Sequence, residues 1–368
     1  MDINTLMASV INTQSGNSFY RFSNTDGKVW LMPAKNMQVA MSLYQPSGIK
    51  GKLMKLLFPY LHQIRLVRNI IKAERIKCCL PEKLKLLLAS LFQVDDFEFA
   101  FFCGSPGPRQ KMTIQIYAKN KILGYVKTSK DKDIIRSFQK ESNTLNLLKS
   151  RGIKNIPEIL YCDKLENDNL FIQSTTKTIH SKVINHLTDK HILLVRQFFE
   201  LTRNRMPFKS TDLYSNILYL KSIFDSLNPH DKATLTKSTH IIEIHYNGEV
   251  EFGFMHGDFT PWNIYEENGM LYAFDFEYSG YNYPPFMDIV HFVLQTSILV
   301  KNLTIEETFC DLREKEHLLP VGDSPYLVLA YLLQIFSHYF KLFNGKFSTQ
   351  DRSYKMWIGL MDEYNKIL

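Results

Sequence analysis

One stretch of the chain gathers residues that can do chemistry at close spacing. It reads Phe254-Met255-His256-Gly257-Asp258-Phe259-Thr260-Pro261-Trp262-Asn263, and Asp275-Phe276-Glu277 begins twelve residues after Asn263. The flanking apolar runs place Asp258 and Asn263 in a loop, where polar side chains converge. Asn263 to Glu266 and Met270 to Phe276 surround Asn268-Gly269, a hairpin signal. Asp275 is therefore expected to end a strand, and alternation directs Asp275 and Glu277 to one side of it. Two or three oxygen ligands from a loop and an adjacent strand suit magnesium. A separate aspartate in the same loop can accept a proton from an attacking hydroxyl. His256, Asp258, Asp275, Asp288 and His291 could also form a transition-metal hydrolase cluster, but that reading leaves Asn263 and the upstream sheet without a role.

The elements that must position these residues fall into three blocks. Phe97 to Phe102, Met112 to Ala118 and Ile122 to Thr128 read as strands of an antiparallel meander, with Lys119-Asn120-Lys121 as a tight turn. A helix follows over about Asp133 to Ser150. Ile134, Phe138, Leu145 and Leu148 form its apolar stripe, and Glu141 lies on that stripe, where a carboxylate is costly unless paired. Glu158 to Tyr161 and Asn169 to Gln173 read as two more strands. From Ser181 onward the pattern is mostly helical. It is interrupted by the Asn268-Gly269 hairpin and by a second hairpin, Ile241 to Tyr246 and Glu249 to Phe254 around Asn247-Gly248.

The first block is a leader. Phe19 to Phe22 and Lys28 to Met32 flank Thr25-Asp26-Gly27 as a hairpin. Ile49 to Cys79 reads as a basic amphipathic helical stretch, which Pro59 should divide into two helices. Lys50, Lys52, Lys55, Arg65, Arg68, Lys72, Arg75 and Lys77 against Glu74 give 8 − 1 = +7, equal to the net charge of all 368 residues, so the asymmetry is local. The favoured reading packs the apolar side of this stretch on the rest of the protein. The other readings lay it on an anionic membrane or on another anion; no nucleic acid is expected, because no recognition motif accompanies the charge. The expected organisation is a 1–96 extension, a 97–175 β-rich lobe and a 176–368 helical lobe.

Composition narrows the classes further. At 45% hydrophobic residues the chain is not disordered, and five cysteines are too few for a disulfide framework. A reducing, cytoplasmic setting is the simplest reading, peripheral at the inner membrane face if residues 49–79 meet lipid. No export signal is visible at Met1-Asp2-Ile3-Asn4-Thr5. Tyr326 to Phe340 carries Gln334, Ser337 and His338 and reads as a buried helix, not a membrane span.

His-Gly-Asp-x-x-x-x-Asn with a downstream Asp-Phe-Glu resembles the aminoglycoside phosphotransferase and choline kinase family, over roughly Phe97 to Leu368. The resemblance implies an α+β, protein-kinase-like fold of two lobes, an antiparallel-sheet N-lobe and a mainly helical C-lobe, here with an extra N-terminal segment. It implies ATP or GTP as phosphoryl donor, Mg2+, and a small-molecule acceptor. Carried over, Asp258 is the base, His256 braces the catalytic loop, and Asn263, Asp275 and Glu277 face the metal. Lys127, held by Glu141, would contact the α- and β-phosphates. Gly104, Ser105 and Gly107 occupy the place of the phosphate-covering loop, although Gly104-Ser105-Pro106-Gly107-Pro108 departs from Gly-x-Gly-x-x-Gly. Asp288 is expected to brace the catalytic loop.

The function expected on these grounds is transfer of a γ-phosphoryl group to a hydroxyl of a small molecule, a sugar or glycolipid being favoured. Residues 177–250 carry 10 Lys and Arg against 7 Asp and Glu, which disfavours a polycationic acceptor. The alternative is a nucleotide-binding scaffold without turnover. A protein acceptor is disfavoured by Glu277 and by the lack of an Ala-Pro-Glu segment after Asp275. The sequence does not fix the oligomeric state.

Overall fold

The computed structural model describes residues 12–46, 48–106, 110–345 and 347–368, with side chains from residue 16 onward. They fold as two compact units. The first takes in the described residues up to Asn146 together with Pro157–Ser181, and the second Leu147–Ile156 with Lys182–Leu368.

The first unit is built on an eight-stranded sheet. Its strands are β1 (Asn12–Ser23), β2 (Val29–Pro33), β3 (Glu74–Cys79), β4 (Glu98–Phe102), β5 (Met112–Ala118), β6 (Lys121–Ser129), β7 (Ile159–Leu165) and β8 (Asp168–Ser174). The spatial order is β3-β1-β2-β4-β5-β6-β8-β7, and every pairing is antiparallel. The 1–96 leader, expected to stand apart, thus supplies three strands to the sheet it precedes. Alternation explains why: Phe19, Leu31 and Phe101 face one core with Leu84 and Leu88 of helix α3 (Glu82–Phe92). Tyr20, Phe22, Trp30, Met32 and Ala100 face the other core with Phe58. A sheet buried on both faces needs apolar side chains in both phases, and this one has them.

The basic stretch is two helices, α1 (Ile49–Leu61) and α2 (Arg65–Ile71), followed by β3. Pro59 lies inside α1, and the break comes three residues later at His62. Helix character was expected to reach Cys79. Instead Lys72 takes a left-handed φ of 55°, which ends α2, and Glu74–Cys79 pairs with β1. The apolar side was expected to be buried, and it is so only in part: Phe58 is the fully buried residue of α1 and none is fully buried in α2, while Met54, Val67 and Ile71 pack half-buried against the same core.

The second unit is mainly helical: α5 (Asp189–Thr202), α6 (Asp212–Ser222), α7 (Pro229–His245), α8 (Met287–Gln295), α9 (Ile305–Lys315), α10 (Ser324–Leu342) and α11 (Arg352–Ile367), numbered after α4 (Lys132–Ser150) of the meander region. Strands β9 (Asn204–Pro207), β10 (Glu249–Met255) and β13 (Gly280–Tyr283) form a small sheet, and β11 (Ile264–Glu267) with β12 (Met270–Ala273) forms a hairpin. Asn268 and Gly269 both have positive φ, as a two-residue turn of this hand requires.

The other expected hairpin is absent. Ile241 to Tyr246 is the end of α7, and β10 pairs with β9 instead. Asn247-Gly248 between apolar runs suggested the hairpin, but Asn228 caps the helix through the Asp231 amide, Pro229 occupies the first turn, and Leu235, Thr239 and Ile242 form a helical stripe. No helix among the described residues is long and apolar enough to cross a membrane.

Candidate active site

In the first unit, Lys127 sits on β6 between β5 and β8, where its Cα pairs with Thr113 and Phe171. Its ammonium reaches Glu141 of α4 at 2.9 and 2.8 Å, both carboxylate oxygens accepting. Lys127 is 5% exposed and Glu141 is 0% exposed, so each charge depends on the other. The ammonium also lies 5.0 Å from the Phe171 ring centre. This settles the anomaly of a carboxylate on an apolar stripe.

The loop after β4 is pinned at its neck. Gly104 has φ +75°, and a Cβ there would lie 2.2 Å from the Lys111 carbonyl oxygen, so only glycine fits. Gln110 donates to the Cys103 carbonyl at 2.8 Å across the same neck. Gly104 is buried, Ser105 is exposed, and Gly107 lies outside the described residues. At the end of β8, the Glu158 amide donates to Ser174 and the Thr175 amide to the Leu123 carbonyl.

In the second unit, the candidate catalytic residues lie on the loop between β10 and β11. Its entry is held by Asp288 in the first turn of α8. The His256 amide donates to Asp288 Oδ2 at 2.7 Å and the Gly257 amide to Oδ1 at 3.0 Å. Burial raises the pKa of Asp288, and the amide donors work against that rise. Gly257 has φ +82°, and a Cβ would lie 2.4 Å from the Tyr278 carbonyl oxygen, so the loop passes the 274–279 segment backbone to backbone.

His256 is wholly buried. The Asp258 amide donates to its Nδ1 at 3.3 Å, which leaves the proton on Nε2 to donate to the Phe274 carbonyl at 3.1 Å. Burial holds its pKa below the usual value despite nearby Asp288, Asp258 and Asp275. His256 is thus a neutral strut joining the loop to the residue before Asp275. A second strut is the Phe274 amide, which donates to the Asn263 carbonyl at 3.1 Å.

Asp258 receives two side chains. Asn263 Nδ2 donates to Asp258 Oδ2 at 2.7 Å and to the Asp258 carbonyl at 3.0 Å. His291 Nε2 lies 3.2 Å from Oδ1, and its Nδ1 lies 2.8 Å from the Tyr331 hydroxyl. The Asp258 side chain is 28% exposed. It opens on a cleft lined also by Tyr278, Tyr331, Gln334, His338 and Tyr339. His291 and Tyr331 were not assigned this role from the sequence; the signal was there, since His291 follows Asp288 by three residues on one helix and so shares its face.

Asp275 does not end a strand. β12 stops at Ala273, and Asp275 adopts φ 66°, so strand alternation does not set the direction of Glu277. A left-handed non-glycine residue costs energy and is held there by its surroundings. Asp275 and Glu277 are both half-buried. Burial, followed by the charge of Glu277, raises the pKa of the Tyr278 hydroxyl.

Among the described residues, no group of three or more His, Cys, Asp and Glu is arranged to hold a metal ion. The transition-metal cluster is therefore not formed, and His256 and His291 spend their nitrogens on the bonds above. A magnesium site is a different matter. It takes one or two protein oxygens and fills the rest with water and phosphate. With Asn263 Nδ2 committed to Asp258, its amide oxygen and the Asp275 carboxylate are the hard donors of the right type.

No protein-family model and no curated protein matches the chain. Solved structures do. A thermostable mutant of aminoglycoside phosphotransferase APH(4)-Ia in its apo form is 12% identical, with 77% of this chain and 98% of that chain covered and a TM-score of 0.52. The ternary complex of a thermostable mutant of the same enzyme with ADP and hygromycin B is 11% identical over the same shares, with a TM-score of 0.50. A choline/ethanolamine kinase family protein from Mesorhizobium loti is 12% identical, covering 77% of this chain and 99% of that one, with a TM-score of 0.40. The chain therefore has the protein-kinase-like fold of the aminoglycoside phosphotransferases.

Proposed function

We propose that the protein transfers the γ-phosphoryl group of ATP or GTP to a hydroxyl of an uncharged, hydroxyl-rich small molecule, a sugar or the sugar of a glycolipid. The observation that supports this most is the Asp258 carboxylate. It is aimed by Asn263 and His291, partly exposed to a cleft, and stitched through His256 to the segment bearing Asp275. In this reading Asp258 accepts the acceptor's hydroxyl proton and aligns the oxygen for attack on the γ-phosphorus. Asn263 and Asp275, with Glu277 close by, would hold Mg2+, whose contribution when bound is to neutralise triphosphate charge. Lys127, fixed by Glu141, would contact the phosphates, and Ser105, beyond the neck at Gly104, would help to cover them.

The lining of the cleft supports an uncharged acceptor. It includes two carboxylates, Asp258 and Asp288, and Asp288 is occupied by backbone amides. Three tyrosines, two histidines and Gln334 complete the polar lining, a set that suits hydroxyls better than several ammonium groups. The test is ADP release against a panel of sugars, amino alcohols and aminoglycosides, with and without magnesium. Turnover with a neutral sugar that disappears in Asp258→Asn supports the reading. Nucleotide binding without turnover on any acceptor would favour the silent scaffold.

A further inference from the structure

The helical pair α1–α2 has a surface that phosphoryl transfer does not use. Eight of the large apolar side chains exposed among the described residues fall between Ile49 and Ile70. On α1 they form one stripe. Ile49, Leu53, Leu56 and Tyr60 recur at three and four residues, which confines them to an arc of roughly 60° on a helix of 3.6 residues per turn. Ile49 is 86% exposed, Leu56 65% and Tyr60 66%. The opposite side of the helix is fastened down. Phe58 is 1% exposed, and Gly51 passes so close to Pro46 that a Cβ would lie 2.4 Å from its ring. The stripe therefore faces outward on an anchored helix.

Charge surrounds it. Lys50 and Lys52 are exposed and project on either side of the stripe at 100° per residue. On α2, Leu66 and Ile70 are exposed one turn apart, with Arg65 and Lys72 exposed beside them. Among residues 49–72 there is no Asp or Glu. Soluble surfaces rarely leave so much contiguous apolar area uncovered. A protein partner would have to match an apolar ridge and a one-signed rim of cations. An anionic bilayer matches both, because acyl chains accept the leucines while phosphates meet the lysines.

We infer that the outward face of α1–α2 binds anionic membrane surfaces, with the stripe Ile49, Leu53, Leu56 and Tyr60 entering the interface and Lys50, Lys52, Arg65 and Lys72 resting on headgroup phosphates. The inference is independent of the proposed activity, since its readout is binding.

The experiment is co-sedimentation of the full chain with phosphatidylcholine vesicles, with and without phosphatidylglycerol, at low and high salt. The protein is expected to pellet with the anionic vesicles, poorly with phosphatidylcholine alone, and less as salt rises. Lys50→Gln with Lys52→Gln should weaken binding roughly five-fold per lysine. Leu56→Asp with Tyr60→Asp should abolish it while leaving the melting temperature in place, because both residues are already in solvent. Failure of the wild type to pellet with anionic vesicles overturns the inference, as does pelleting that survives Leu56→Asp with Tyr60→Asp. A wild-type dimer that this pair disperses, with no vesicle binding, assigns the face to a second copy and also overturns it.

Discussion

Glu141 and Asp258 are both carboxylates held by nitrogen donors at 2.7 to 3.2 Å, yet they sit in opposite circumstances. Glu141 is wholly buried opposite one ammonium, and its position is fixed by charge. Asp258 is held by an amide and an imidazole, and more than a quarter of its side chain meets solvent. A carboxylate locked to a buried cation has little capacity left to take a proton. One oriented by side-chain donors at the edge of a cleft keeps access to an incoming hydroxyl. The first arrangement aims another group, Lys127, and the second can itself react.

Mutation should separate the two. Asp258→Asn keeps the shape and removes the base, so turnover should fall by about 10³-fold with the fold intact, as read by steady-state ADP release and melting temperature. A variant within ten-fold of wild type would place the base elsewhere. Glu141→Ala should do the reverse in emphasis. Breaking a buried pair costs about 3–5 kcal/mol, visible as a lower urea midpoint for the first unit. Lys127→Met with Glu141→Leu should recover most of that stability while transfer stays slow, because the apolar pair packs but cannot contact phosphate.

The pairing of Lys127 with Glu141 was legible because a carboxylate on an apolar stripe demands a partner, and the meander strands followed from alternation and turn residues. The bracing by Asp288 was legible as well. Three things were not. Asn247-Gly248 follows an apolar run that serves a strand or a helix equally, and the decision for Ile241 to Tyr246 was made upstream by the Asn228 cap. Asp275 leaves its strand because φ turns positive there, and nothing in Asp-Phe-Glu announces a left-handed aspartate. The exposure of α1 was hidden because an amphipathic helix looks the same whether a protein core or a bilayer covers its stripe.

The buried histidines give the next effect in size. His191 packs on Phe292 with ring centres 4.6 Å apart and accepts the Thr188 amide in a capping box. Burial pushes its pKa down to about 4. The unfolded chain takes up a proton near pH 6.5 and the folded chain does not until about pH 4, so stability falls as pH drops through that window, by roughly 3 kcal/mol. His256 acts in the same direction. Asp288, with its raised folded pKa, acts oppositely, its contribution declining as pH rises above the ordinary carboxylate range. Melting curves between pH 7.5 and 5 should show the loss, and His191→Gln should flatten it. An unchanged slope in that variant would assign the acid sensitivity to other groups.

The smallest effect sharpens the comparison most. Lys221 and Glu243 repeat the Lys127–Glu141 geometry, with the ammonium 2.7 and 2.6 Å from the two oxygens. Their side chains are 39% and 23% exposed, against 6% and 1% for the buried pair. Coulomb's law at contact is the same for both, so the environment must make any difference. Water solvates the separated partners of the exposed pair, and Lys221→Met should cost less than about 1 kcal/mol. A cost near that of Glu141→Ala would mean that contact distance, not desolvation, governs these pairs. Burial would then not be what holds Lys127 in place, while the geometry around Asp258 would stand unaffected.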